Sequence, residues 1–156
     1  MGSVSLYVKP HFPSLKGRAP RRHEVSMNTK QRKKVLIVDD ESIMVSLLQR
    51  HVSKAGYEHV TASNGQEALE KINTEQPDLV LLDLMMPGMN GFETCRRIRQ
   101  NEKTRTLPVI IITALRSESD SDAAAASGAD EFIVKPIDGP RLAQRLRHHL
   151  GSPFNV

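Results

Sequence analysis

Five short apolar runs, each bounded by turn residues, constrain the fold of this chain more than any other feature. They lie at 35–38, 79–82 and 109–112, with shorter ones at 59–62 and 132–134. All are too short for helices, and they are rich in Val and Ile, as strands buried on both faces should be. Helical patterns fill the gaps. Residues 42–55 place Ile43, Leu47, Leu48 and Val52 on one face, and Gly56 follows where a glycine stops a helix. Asn64 is placed to cap a second helix, with Glu67 three residues on and Ala68, Leu69 and Ile72 turned inward. A third helix covers 92–99. A fourth covers 119–127, where the run of alanines is a strong helix former lying against a neighbour, and ends at Gly128. Asp138 is placed to cap a fifth, whose apolar face is Leu142, Leu146 and Leu150. There is no internal repeat. Five strand–helix units in succession predict an α/β fold: a doubly wound parallel sheet with helices on both faces and right-handed crossovers.

Ligands of such sheets sit outside the carboxyl ends of the strands, so the residues at those ends carry the functional argument. In PDLVLLDLMMPGMNGF, Asp83 directly follows a buried strand, where an unpaired carboxylate is expensive. The first strand ends in Asp39 and Asp40. If the two strands are neighbours, three carboxylates converge, and their repulsion raises some of their pKa values unless a cation lies among them. Oxygen donors without His or Cys suit a hard divalent ion, Mg²⁺ first and Mn²⁺ as an alternative. Asp39 and Asp40 could instead form a turn that caps the following helix, but that reading leaves Asp83 unexplained. The fourth strand ends at Thr113, followed by the small Ala114, and the fifth at Lys135, before Pro136. A metal, an ammonium and a hydroxyl around one carboxylate are the parts phosphoryl transfer needs, and a carboxylate nucleophile forming an aspartyl-phosphate is a known form of covalent catalysis.

The charge is divided along the chain. Residues 1–34 hold nine Lys and Arg against one acid, Glu24, so 13 basic and 17 acidic residues remain for 35–156. The first segment has three prolines and no apolar period, which marks it as a disordered, solvated arm. Phosphate or nucleic-acid binding through counterion release is its alternative role. No apolar stretch follows Arg21-Arg22 as secretory export would require. A start at Met27 would leave residues 1–26 as an upstream extension. The single cysteine, Cys95, permits no internal disulfide and suits a reducing cytoplasm. No apolar run approaches the length of a membrane-spanning helix.

Taken in order, Asp39-Asp40, Asp83, MMPGMNGF, Thr113-Ala114 and Lys135-Pro136 resemble the receiver domain of bacterial two-component response regulators. The resemblance covers about residues 33–151, leaving 1–32 as the arm and 152–156 as a short tail. It implies a flavodoxin-like strand order, 2-1-3-4-5, with five helices. It also implies that Asp83 is the phosphoacceptor, that Asp39 and Asp40 hold Mg²⁺ with the backbone carbonyl of Met85 completing the protein ligands, and that Thr113 and Lys135 bind the phosphoryl oxygens. Ala114 leaves room for access to the phosphate, and the Lys135–Pro136 bond is expected to be cis. Thr113 and Phe132 are the implied switch residues, remodelling the surface of helix four, strand five and helix five. Phe132 lacks a hydroxyl, so a switch there rests on packing, and plain core packing is its other reading. Met85 and Leu115 occupy the positions that tune attack of water in relatives. Both are apolar, which implies a long-lived aspartyl-phosphate, although Met85 could equally be a flexible surface filler.

Other residues read as structural. Pro87, Gly88 and Gly91 suggest loop geometry, with the glycines allowing positive φ. Cys95 suggests a small buried or half-buried filler. His148 and His149 close the last helix, and His51 lacks the surroundings of a phosphohistidine donor. The chain ends six residues after Leu150, which suggests a stand-alone cytoplasmic receiver without a DNA-binding domain and without membrane attachment. Its expected partners are a sensor histidine kinase or histidine phosphotransfer protein and a downstream protein on the helix four, strand five, helix five face. It is not expected to be an enzyme beyond assisting its own phosphorylation and dephosphorylation. One alternative is the receiver piece of a longer regulator or hybrid kinase. Another is a small haloacid-dehalogenase-type phosphatase, which requires an Asp-x-Asp motif where this chain has adjacent acids, and a cap domain for which there is no room.

Overall fold

Each apolar run becomes one strand of a single sheet in the computed structural model, which describes residues 31–114 and 118–154. Residues 1–30 of the arm, Leu115 and the last two residues lie outside the described residues. The strands are β1 (Lys34–Val38), β2 (Glu58–Ala62), β3 (Leu79–Asp83), β4 (Val109–Thr113) and β5 (Glu131–Val134). They alternate with α1 (Ser42–Lys54), α2 (Gly65–Glu75), α3 (Gly91–Gln100), α4 (Glu118–Ala126) and α5 (Gly139–Leu150). All pairings are parallel, in the order β2-β1-β3-β4-β5. This is the doubly wound, flavodoxin-like sheet that the alternation and the resemblance implied.

Both faces of the sheet are covered, which explains why its strands read as unbroken apolar runs. Leu36, Val38, Val80, Leu82 and Ile111 pack with Ala68 and Ile72 of α2, Cys95 and Ile98 of α3 and Ala124 of α4. The alternate residues, Val35, Ile37, Leu81, Ile110 and Ile112, pack with Leu48 and Val52 of α1 and Leu142, Leu146 and Leu150 of α5. Each fully buried Leu or Ile contributes about 1.5–3 kcal/mol. The register then sets the site: Val38 pairs with Leu82, so the next residues along each strand, Asp39 and Asp83, emerge side by side.

Three local expectations need correction. Ile43 does not join the buried face of α1; it is 84% exposed. The inward row is Met44, Leu48 and Val52, spaced four apart, and Ile43 lies a helical step of about 100° off that row. Leu47 is half-buried. Asn64 does cap α2, accepting the Glu67 N–H at 2.8 Å, but the Glu67 carboxylate reaches past it to the N–H and hydroxyl of Ser63, at 3.0 and 2.8 Å. Asp138 sits at the N-cap of α5 without a side-chain capping bond. The preset φ of Pro140, in the first turn, suits the helix start instead. After α5 the chain turns back on β1, where Pro153 accepts the Lys33 N–H at 2.7 Å and Gly151 accepts the Tyr57 hydroxyl at 2.8 Å. Among the described residues no helix is long and apolar enough to cross a membrane.

Candidate functional site

The carboxyl ends of β1, β3, β4 and β5 bring the predicted residues together. Asp39 and Asp83 are only 2% and 6% exposed, and Thr113 is fully buried. Asp40 is exposed, and an oxygen from each of Asp39, Asp40 and Asp83 lies within 4.8 Å of the others. The Lys135 ammonium reaches in from β5, 3.4 Å from Asp83 Oδ1 and 3.7 Å from Asp39 Oδ2. Its backbone N–H donates to the Thr113 carbonyl at 2.7 Å, and the Lys135–Pro136 bond is cis. The backbone at the ends of β4 and β5 is thus tied together where Thr113 and Lys135 lie.

Asp39 has two tasks. Its Oδ1 accepts the Glu41 N–H at 2.9 Å, fixing the turn into α1. Its Oδ2 is buried and has no hydrogen-bond partner. Burial pushes the Asp39 carboxyl above its ordinary value, against the pull of the Glu41 N–H and Lys135. Burial and then the charge of Asp39 raise Asp83 as well, opposed by Lys135 and a hydrogen bond from the Met85 backbone. Among the described residues, two buried carboxylates and one exposed carboxylate therefore face a single ammonium. An orphaned carboxylate oxygen within an all-oxygen cluster fits a hard divalent cation.

The loop after β3 is shaped by Gly91 in a way the sequence did not convey. Gly91 is not among the glycines with positive φ; Gly88 is, at 75°. A Cβ at Gly91 would lie 2.4 Å from the backbone oxygen of Asp83 and 2.8 Å from Leu84 Cα. Gly91 is therefore needed for close approach, because it lets the start of α3 pack directly onto the end of β3. Asn90 caps α3 by accepting the Glu93 N–H at 3.0 Å. The Met85 side chain is 66% exposed beside the site, and Ala114 is exposed at the end of β4. Phe132 is half-buried against the α2–α3–α4 side of the core. Cys95 is fully buried. His149 meets Glu131 at 2.8 Å, and Arg145 pairs with the same carboxylate. No local sequence pattern signals that contact between β5 and α5.

Residues 35–147 match the family described as the response regulator receiver domain. The chain belongs to this family. The receiver is 40% identical over 115 residues to the alkaline phosphatase synthesis transcriptional regulatory protein PhoP of Bacillus subtilis, a match covering 74% of this chain and 47% of PhoP. It is 42% identical over 114 residues to the response regulator PleD of Caulobacter vibrioides, covering 73% of this chain and 25% of PleD. The chain thus matches about half or less of the length of these relatives. Among solved structures, the chemotaxis protein CheY4 of Vibrio cholerae aligns with a TM-score of 0.73 at 32% identity, covering 77% of this chain and all of CheY4. A putative response regulator from Chloroflexus aurantiacus aligns with a TM-score of 0.74 at 34% identity, covering 78% of this chain and 100% of its own. Residues 35–147 form the receiver domain of a two-component response regulator, and its strand-end acids form the cluster described above.

Proposed function

We propose that this receiver accepts a phosphoryl group from a phosphohistidine donor onto Asp83. The observation that carries the reading is the Asp83 carboxylate beside the Lys135 ammonium, with Asp39 and Asp40 within 4.8 Å. In the transfer, an Asp83 oxygen bonds to phosphorus, the donor's N–P bond breaks, and a donor imidazole already protonated on its other nitrogen leaves neutral. Lys135 and the Thr113 hydroxyl hold phosphoryl oxygens. Asp39, Asp40, Asp83 and the Met85 carbonyl would hold Mg²⁺, or Mn²⁺ in its place, which when bound offsets charge on the transferring group. Phosphorylation draws Thr113 toward the phosphoryl group and Phe132 inward, biasing the α4–β5–α5 surface toward a state that a protein partner reads. With no polar side chain at Met85 or Leu115 to orient a water, the acyl phosphate is long-lived. The receiver assists only its own phosphorylation and dephosphorylation.

Incubation with acetyl phosphate and Mg²⁺, followed by intact mass measurement, tests this reading. One phosphoryl group is expected on the wild type, labile to hydroxylamine and absent from Asp83→Ala. Equal labelling of Asp83→Ala would overturn the assignment. The donor is a sensor histidine kinase or histidine phosphotransfer protein. PhoP and PleD continue well beyond the matched region whereas CheY4 is matched over its whole length, so the whole protein is either a stand-alone receiver or a receiver within a longer regulator. The intact mass of the native gene product separates the two.

A further inference from the structure

The two helical layers carry charge in opposite ways. Residues 35–156 hold more acids than bases, yet α1 and α5, which share one face of the sheet, contain Arg50, Lys54, Arg141, Arg145 and Arg147 without a single Asp or Glu. On the other face every cation of α2 and α3 is paired: Lys71 with Glu67, Arg96 and Arg97 with Glu93, and Arg99 with Asp130. Of the five cations on α1 and α5, Arg145 pairs with Glu131. Arg50, Lys54, Arg141 and Arg147 have no ion pair among the described residues.

A groove runs between these two helices. It encloses about 260 Å³ and is lined by the small Ala55, Gly139, Pro140 and Ala143, by His51, and by the cations Lys54 and Arg147. The helices come close because Gly139 has no side chain; a Cβ there would lie 2.5 Å from His51 Nδ1. The groove therefore depends on α5 meeting the His51 ring at Gly139, and Lys54 and Arg147 line it without an ion pair among the described residues.

We propose that the α1/α5 groove docks an acidic, amphipathic protein segment. An apolar side chain of that segment rests on Ala55 and Ala143, and its carboxylates pair with Lys54 and Arg147. Charge complementarity selects an anionic occupant, and the small apolar floor selects a peptide. A nucleic-acid backbone is bound through its phosphates and has no use for such a floor. An anionic membrane takes large apolar side chains projecting beside the cations. On α1 and α5 the only such exposed residue is Ile43, at the opposite end of α1 from Lys54. The groove shares α5 with the α4–β5–α5 face but contains none of Asp39, Asp40, Asp83, Thr113 or Lys135, and the proposed docking needs no phosphorylation.

The test is a titration of the full-length, ¹⁵N-labelled chain, without phosphodonor. The probe is a synthetic amphipathic helical peptide with leucine anchors flanked by glutamates. Amide shifts are expected around His51, Ala55, Gly139 and Ala143. Lys54→Glu/Arg147→Glu is expected to weaken binding at least about tenfold, since two attractive pairs become repulsive. Arg96→Glu, on the other layer, leaves binding unchanged. Should the double reversal fail to fold, Lys54→Gln/Arg147→Gln carries the test with a loss of about threefold. Shifts confined to residues 1–34 would overturn the proposal. So would unchanged affinity in the folded double variant, or equal binding of the same peptide with lysine for each glutamate. Tighter occupation of these residues by duplex DNA or by phosphatidylserine vesicles would do the same.

Discussion

Replacing Gly91 with alanine probes the link between the fold and the candidate site. The new methyl would sit 2.4 Å from the Asp83 carbonyl oxygen and 2.8 Å from Leu84 Cα, where ordinary contact begins at 3.4 Å. Both obstacles are main-chain atoms, so neither can swing aside, and the start of α3 must retreat from β3 by about 1 Å. That retreat breaks or stretches the 3.1 Å bond from the Gly91 N–H to the Leu84 carbonyl. Overpacking costs about 1–3 kcal/mol and the weakened bond about 1 kcal/mol, while alanine's better helix propensity returns about 1 kcal/mol. The net loss is about 2 kcal/mol, read as a lower urea midpoint at unchanged slope. Because Asp83 moves with its own carbonyl, labelling by acetyl phosphate falls as well, by tenfold or more, since about 1 Å of misplacement can cost 10²-fold. Gly88→Ala is the internal control. It has open space around its Cβ but a φ of 75°, so it loses about 1 kcal/mol through backbone strain alone and labels nearly normally. Wild-type stability and labelling in Gly91→Ala, or a larger loss in Gly88→Ala, would refute the close-approach argument.

Other outcomes follow from particular groups. Asp83→Asn removes one of two buried charges that face a single ammonium, so in metal-free buffer it should unfold at higher urea, by about 1 kcal/mol; a less stable variant would contradict this. Glu67 is held below its ordinary 4.5, at about 2, by the Ser63 N–H, the Ser63 hydroxyl and Lys71. Its contribution is therefore fully present above about pH 4.5 and lost as pH falls through about 2. Urea midpoints of Glu67→Gln should fall less steeply over that window than those of the wild type. The Cys95 thiol is fully buried and raised by that burial, so iodoacetamide should react with the native chain orders of magnitude more slowly than with the unfolded one. Met85→Asn/Leu115→Glu should shorten the acyl-phosphate half-life, and an unchanged half-life would remove the lifetime role from both positions.

Strand positions and helix-start residues at the site were legible because they are local. A run of Val, Ile and Leu ending in Asp identifies both the buried strand and the acid at its tip, and parallel pairing then converts sequence position into spatial proximity. What stayed hidden depends on two distant backbones meeting. Gly91 reads as a loop glycine until β3 is seen beneath it. Glu131, Arg145 and His149 look unrelated until β5 and α5 pack together. Ile43 shows the same limit from the other side: near the end of a helix, one residue's shift in the assumed face changes a core position into a solvent-exposed one, and only the packed partner decides between them.

The electrostatics of the strand tips also explain why so apolar a scaffold surrounds them. Asp39, Asp40 and Asp83 bring three negative charges, and Lys135 returns one. The remainder equals the charge of one divalent cation, which would bring the cluster to neutrality before any phosphoryl group arrives. Without it, the two buried acids are raised above their ordinary values, so the fold must tolerate a site that works against its own stability. The fully buried β1, β3 and β4 cores on both faces of the sheet offset that strain. A receiver with one of those faces thinned, for example by Leu142→Ala, should therefore gain more from Asp83→Asn or from Mg²⁺ in relative stability than the wild type does, because the same local relief is measured against a smaller total.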